Sequence, residues 1–165
     1  MHAAMRTFHV IATSLALLAV ALPAQAAPTA RAETVTIRLL SVTTEARVQK
    51  DVAPKNVASK GDVIWQKSLL RNAVAQFGKP KGALVGSDSG TITLVSPTVL
   101  ANKGVAVLPG GTIRFAGRSD GNSRVMVVAV TGGTGTYAGA RGKLEVRALN
   151  ADGSRTTNVY RLTLP

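Results

Sequence analysis

The chain of 165 residues contains no cysteine, and its two histidines, His2 and His9, both lie within the first ten residues. A chain without cysteine forms no disulfide and offers no thiol nucleophile. The remainder of the chain also lacks the histidine that a Ser-His-Asp triad or the usual zinc ligand sets require. We therefore expect no metal and no cofactor, and a fold stabilised by burial and backbone hydrogen bonds.

Aromatic and acidic side chains are also scarce. Phe, Trp and Tyr make up 4% of the chain, and 20 Lys and Arg face 8 Asp and Glu, which gives a net charge of +12. A protein that binds single-stranded nucleic acid places aromatic side chains among its basic residues, so we do not expect nucleic acid as a partner. A positive surface also suits an anionic cell-surface polymer, which we keep as one hypothesis.

Only the N-terminus carries a long apolar run. Arg6 precedes an apolar stretch over residues 10–22, which is followed by the small-residue motif Ala24-Gln25-Ala26. This layout is typical of a secretory signal peptide, with an uncleaved anchor as the alternative. We predict that residues 1–26 are removed after Ala26, that the protein is secreted, that 27–33 form a disordered leader and that 34–165 form one domain. No later stretch is long and apolar enough to span a membrane.

The residues after the leader have the pattern of β-strands joined by turns. Val35, Ile37 and Leu39 alternate with polar neighbours, and no long amphipathic helix is apparent. This organisation predicts an all-β sandwich or barrel. Turns are predicted where glycine follows proline, aspartate or serine, at Pro109-Gly110, Asp120-Gly121, Asp152-Gly153 and the segment Ser87–Gly90.

The most distinctive segment is MVVAVTGGTGTYAGARG at residues 126–142. Gly133, Gly135 and Ala138 match the G-x-G-x-x-A spacing of dinucleotide-binding proteins, which requires a helix after the glycines. The following residues, KLEVRAL, alternate with period two and therefore predict a strand. We reject the dinucleotide interpretation and predict a glycine turn between two strands, with structural roles for Gly132, Gly133, Gly135 and Gly142.

The same segment resembles the G-G-T-G-x-[FY]-x-x-A-R-G signature of plant dirigent proteins and of bacterial proteins with an allene oxide cyclase barrel-like domain. GTIRFAGR before it and NVYRLTL near the C-terminus are similar to barrel strands of these proteins. The resemblance implies an eight-stranded antiparallel β-barrel similar to lipocalins, with a pocket inside the barrel and frequent oligomerisation. Whether this chain forms a homo-oligomer is left open.

The resemblance implies three functional hypotheses. The first is a secreted barrel that binds a small apolar or phenolic molecule in its cavity. The second is a dirigent or cyclase-type protein that guides stereoselective ring closure or coupling, as a cyclase or isomerase without metal or cofactor; whether the protein is an enzyme stays open. The third is a surface-associated barrel that binds an anionic wall polymer.

The resemblance also implies candidate site residues. Arg141 matches an arginine that contacts the ligand in dirigent proteins, the alternative being that it bonds to the carbonyls of the glycine turn. Thr136 stands where many members carry an acid, and Asp88 is interpreted as a turn former, so no general acid is assigned. The predicted ligand-binding residues are Arg141; Tyr137, which could instead pack at the barrel end; Glu45, the only acid that the first strand offers; and Tyr160, in the closing strand.

Overall fold

The computed structural model describes residues 32–165. The predicted signal peptide at 1–26, its cleavage site and most of the predicted leader lie outside these residues. The first strand begins at Glu33, at the predicted boundary between leader and domain. The strands are β1 Glu33–Lys50, β2 Val63–Asn72, β3 Leu84–Ser96, β4 Val99–Leu108, β5 Gly111–Asp120, β6 Val125–Gly133, β7 Arg141–Ala148 and β8 Arg155–Leu164.

The eight strands form one closed antiparallel barrel, which confirms the predicted fold class. Each strand pairs with the next along the chain, and β1 closes the barrel by pairing with both β2 and β8. The predicted turns at Pro109-Gly110, Asp120-Gly121 and Asp152-Gly153 all connect consecutive strands. Because the barrel is closed, each strand has a neighbour on both sides and the sheet has no free edge. These backbone hydrogen bonds stabilise a chain that has no disulfide.

The predicted turn at Ser87–Gly90 is wrong, because these residues lie in the middle of β3. The glycines on the two sides of Asp88 have another role. A Cβ atom on Gly86 would lie 2.0 Å from the carbonyl oxygen of Val107, and one on Gly90 would lie 2.6 Å from that of Lys103. Glycine is therefore needed here because β4 passes too close to β3 for a side chain.

The two ends of the barrel differ in packing. At one end, the interior is packed with apolar side chains; those with almost no exposure are Leu39, Leu70, Ile113, Leu144, Tyr160 and Leu162. We call this the closed end. The opposite end, where the 51–62 loop joins β1 to β2, has inward-facing residues that are only partly buried. We call this end the mouth.

The glycine-rich segment lies at the closed end, between β6 and β7. It contains a 3₁₀ helix at Gly135–Tyr137. Gly135 has a φ of +60°. The backbone amide of the next residue, Thr136, donates to the carbonyl oxygen of Gly110 at 2.9 Å. A Cβ atom on Gly135 would lie 1.9 Å from that same oxygen, so only glycine fits.

No helix within residues 32–165 has the length and hydropathy that a membrane span requires.

Candidate functional site

The mouth of the barrel contains an apolar cavity of about 450 Å³. Val48, Ile64 and Ile92 are cross-strand neighbours on β1, β2 and β3, and their side chains face the same interior. Leu94 and Leu100 form the next row towards the opening. Loop residues 51–62 cover one side of the cavity, to which they contribute Val57, Asp51 and Asp62.

Asp62 holds the 51–62 loop in place over the mouth. Its carboxylate accepts hydrogen bonds from the amides of Ser59 and Val52, each at 2.7 Å. These two bonds lower the pKa of Asp62 from its ordinary value, the bond from Ser59 contributing most. The ionised carboxylate therefore fixes the loop at two points that are seven residues apart in sequence.

Below the mouth, a small cavity leads into the barrel. Its volume is about 30 Å³, and it lies among the inward-facing side chains of Gln66, Asn102, Phe115 and Met126. This is enough space for a water molecule. Gly104 allows the Phe115 ring to lie across β4, because a Cβ atom there would be 2.6 Å from the ring.

A buried carboxyl group lies deeper still. Asp88 on β3 is 8% exposed and faces Ser68 on β2 directly across the strand pair. Asn158 Nδ2 on β8 donates to Asp88 Oδ2 at 3.5 Å from across the barrel. Burial raises the pKa of Asp88 from 3.8 to about 6, while a hydrogen bond from Ser68 acts in the opposite direction. This carboxyl group can therefore hold or release a proton near neutral pH.

Tyr160 is a second ionisable group of this interior. Its side chain is fully buried, and its hydroxyl group has no hydrogen-bond partner among residues 32–165. Burial and the nearby charge of Asp88 both raise the pKa of Tyr160. The hydroxyl thus remains a proton donor at all physiological pH values and has its hydrogen-bonding capacity unused.

The structure places the two predicted site residues of the glycine turn away from the mouth. Arg141 is exposed on the outside of the barrel, where its Nη1 donates to the carbonyl oxygens of Thr131 at 3.1 Å and Ala140 at 3.0 Å. Tyr137 is buried at the closed end, and its hydroxyl donates to the carbonyl oxygen of Pro109 at 3.0 Å. These contacts are the alternatives that the sequence left open; a ligand role for either residue stays a prediction.

The other two predicted site residues also lie apart. Glu45 is exposed on β1 and lines a shallow depression on the outer surface with Trp65 and Lys67. Tyr160 lies inside the barrel, as described above. The four predicted residues therefore do not converge on one site in this structure. Within residues 32–165, no three His, Cys, Asp or Glu side chains come together as a metal site would require.

No protein-family model and no curated protein matches the chain. Solved structures do match it. Pyocyanin demethylase is 23% identical with a TM-score of 0.62, over 78% of this chain and 99% of that protein. The pterocarpan synthase dirigent protein PsPTS1 is 19% identical with a TM-score of 0.61, over 79% and 94%. The exo-specific intermolecular Diels-Alderase AbnU is 16% identical with a TM-score of 0.65, over 81% and 99%.

The chain has the fold of the dirigent-like barrels. This confirms the resemblance seen in the glycine-rich segment. The similar structures include a demethylase as well as dirigent proteins and Diels-Alderases, and at this low identity they share the fold alone with this chain. The function of this barrel must be argued from its own side chains.

The sequence pattern did not reveal the buried acid of this barrel. Asp88 lies between Ser87, Ser89 and Gly90, which are typical turn residues. The signal that could have identified β3 is the alternation of Ile92 and Leu94 after Gly90. Extended backwards with period two, this alternation places Asp88 on the same inward face.

Proposed function

We propose that this protein is a secreted dirigent-like barrel that binds a small, neutral apolar or phenolic molecule in its mouth. The observation that carries the proposal is the apolar cavity of about 450 Å³ between the strand ends and the 51–62 loop. This volume is within the range of small-molecule sites, which are mainly apolar and have few polar groups.

The lining of the mouth favours a neutral ligand with a hydrogen-bond donor. Asp51 and Asp62 are its charged residues, and no Lys or Arg contributes to it within the described chain. Two carboxylates would repel an anionic ligand, although the protein as a whole is basic. A phenol hydroxyl could donate to either carboxylate while its ring packs on Ile64 and Ile92.

A second candidate function is stereoselective ring closure or coupling, and Asp88 is the observation that favours it. A carboxyl group with a pKa of about 6 suits general acid or base catalysis. Similar structures include a pterocarpan synthase dirigent protein and Diels-Alderases. Asp88 does not line the mouth cavity, however: it is four residues beyond Ile92, or about 13 Å along the strand. Simple binding therefore has the stronger support.

Ligand binding can be tested with N-phenyl-1-naphthylamine, a neutral apolar probe that becomes fluorescent in apolar surroundings. We expect saturable binding, displacement by coniferyl alcohol, and at least tenfold weaker binding in Ile64→Glu. The matched control is Val127→Glu, because Val127 is similarly exposed but lies on the outside of β6. Equal losses in both variants, or no saturable binding, would refute the proposal.

The second candidate requires turnover and can be tested separately. Coniferyl alcohol radicals, generated by a one-electron oxidant, couple to a racemic product in solution. If the barrel guides coupling, the wild-type protein should give an enantiomeric excess that Asp88→Asn reduces. A racemic product in the presence of a saturated barrel would leave ligand binding as the function and reject guided coupling of this substrate.

A further inference from the structure

We infer that Arg114 and Arg141, which converge over Gly132, form a binding site for an oxyanion, a phosphate or carboxylate group, on the outside of the barrel. The site lies at the closed end, on the opposite side of the fold from the mouth. It is therefore independent of the proposed small-molecule function and would persist if that proposal failed.

The geometry of the strands brings the two arginines together. Arg114 on β5 lies directly opposite Gly132 on β6, and Arg141 begins the neighbouring strand β7. A Cβ atom built on Gly132 would lie 3.1 Å from Arg114 Nη2 and 3.5 Å from Arg141 Nη1. Both guanidinium groups thus approach one point above the glycine, and any larger residue there would push them apart.

The two positive charges have no carboxylate partner in the described part of the chain. The ion pairs within residues 32–165 are both made by Glu145, with Arg147 and Arg161. Two like charges so close together repel each other. An anion bound between them would replace this repulsion with two attractions.

The donors needed for an anion remain available. Arg141 uses Nη1 for the carbonyl oxygens of Thr131 and Ala140, which fixes the guanidinium group and leaves its Nη2 and Nε donors. Arg114 is exposed, and its side chain makes no hydrogen bond within residues 32–165. A guanidinium group matches carboxylate and phosphate oxygens with two parallel hydrogen bonds. One hydrogen-bonded arginine and one arginine with all its donors available therefore face the same point above Gly132.

The site continues into further positive charge along β7. Lys143 is the next outward-facing residue after Arg141 and lies directly opposite Arg161 on β8. Like charges in directly opposed positions are unfavourable in a sheet. The oxyanion can thus come from two sources: a free anion, or one unit of a chain with repeating negative charges that also reaches Lys143.

The test measures binding of two probes, inorganic phosphate and long-chain polyphosphate, by calorimetry at low ionic strength. The ¹H–¹⁵N signal of Gly132 serves as a local reporter. Since each variant removes a charge-assisted hydrogen-bonding fork, we expect Arg114→Gln and Arg141→Gln each to weaken binding at least about tenfold. Arg114→Lys keeps the charge but loses the planar fork, and should also weaken binding.

The matched control is Arg118→Gln, which removes an equally exposed arginine from the outer face of the same strand. If the arginine variants lose affinity for inorganic phosphate and Arg118→Gln does not, the ligand is a free anion. If they lose affinity for polyphosphate alone, the ligand is a chain with repeating negative charges. An equal loss in Arg118→Gln would show unspecific attraction and overturn the inference, as would no binding of either probe. If Arg141→Gln disturbs the turn, Arg114→Gln decides the outcome, because that side chain makes no bond within the fold.

Discussion

Ser68 and Asp88 face each other across β2 and β3, and both side chains are buried inside the barrel. The serine hydroxyl donates a hydrogen bond to the carboxyl group, and Asn158 adds a second donor from across the barrel. No Lys or Arg forms an ion pair with this carboxylate within residues 32–165. Burial therefore disfavours the negative charge with no cation paired to it, which explains why the pKa of Asp88 rises although the bond from Ser68 lowers it.

The first prediction concerns the pH dependence of stability. Because the pKa of Asp88 is about 6 in the fold and 3.8 ordinarily, the folded state binds the proton more tightly than the unfolded state. The favourable contribution of the protonated group is complete below pH 3.8 and is lost as the pH rises through 6. The loss amounts to about 3 kcal/mol.

Denaturant unfolding of the wild type and of Asp88→Asn between pH 4 and pH 8 measures this effect. Asparagine does not ionise, so between pH 4 and pH 8 the variant should become more stable relative to the wild type by about 2.4 kcal/mol, because part of the loss occurs below pH 4. Other acids titrate equally in both proteins and cancel in the difference. A difference that is constant with pH would contradict the raised pKa.

The second prediction concerns the closed end. Gly135→Ala should lower the free energy of unfolding by at least about 3 kcal/mol, since it combines an unfavourable positive φ with a clash against the Gly110 carbonyl. Gly153→Ala is the matched control: its φ is +69°, but open space surrounds it. It should cost only about 1 kcal/mol. Similar losses in both variants would show that the turn relaxes around the added methyl group.

The third prediction compares the two tyrosine hydroxyls. Tyr137→Phe removes the hydrogen bond to the Pro109 carbonyl and should reduce stability by about 1 kcal/mol. Tyr160→Phe removes a buried hydroxyl that has no partner in the described chain, and should leave stability unchanged or raise it by up to about 1 kcal/mol. Thermal unfolding of both variants decides this; an equal loss would mean that the Tyr160 hydroxyl has an unseen partner, such as water.

The fourth prediction concerns the loop over the mouth. The hydrogen bonds that Asp62 accepts from two backbone amides lower its pKa below 3.8 in the folded protein. These bonds are therefore present above pH 3.8 and are lost as the pH falls through this lowered pKa. The amide signals of Val52 and Ser59 should therefore move together in an acid titration followed by NMR. In Asp62→Ala both signals should be displaced at neutral pH and should no longer titrate. Independent midpoints for the two amides would contradict a single shared carboxylate.

The architecture could be predicted from the sequence because strands and turns are local properties. The alternation of Val35, Ile37 and Leu39 and the turn at Asp120-Gly121 indicate extended chain and reversals without reference to distant residues. These local signals leave a sandwich or a barrel open. The resemblance of the glycine-rich segment to dirigent proteins predicts the barrel.

The interior could not be predicted in the same way. Gly86 and Gly90 look like turn residues locally, yet the close approach of β4 requires them inside a strand. That approach is a long-range consequence of closure, and it hides Asp88 from a local interpretation. Arg141 shows the same limit: its position in the motif is clear, but only the register of β5 and β6 reveals Arg114 beside it.

The packed closed end has a consequence for exchange with solvent. Since Leu39, Leu70 and Leu144 are packed there with almost no exposure, we expect a molecule that enters the barrel to leave through the opening by which it arrived. Association and dissociation therefore use the same opening, and a second molecule binds only after the first has dissociated. The residence time of any occupant is then set by its contacts at this one opening.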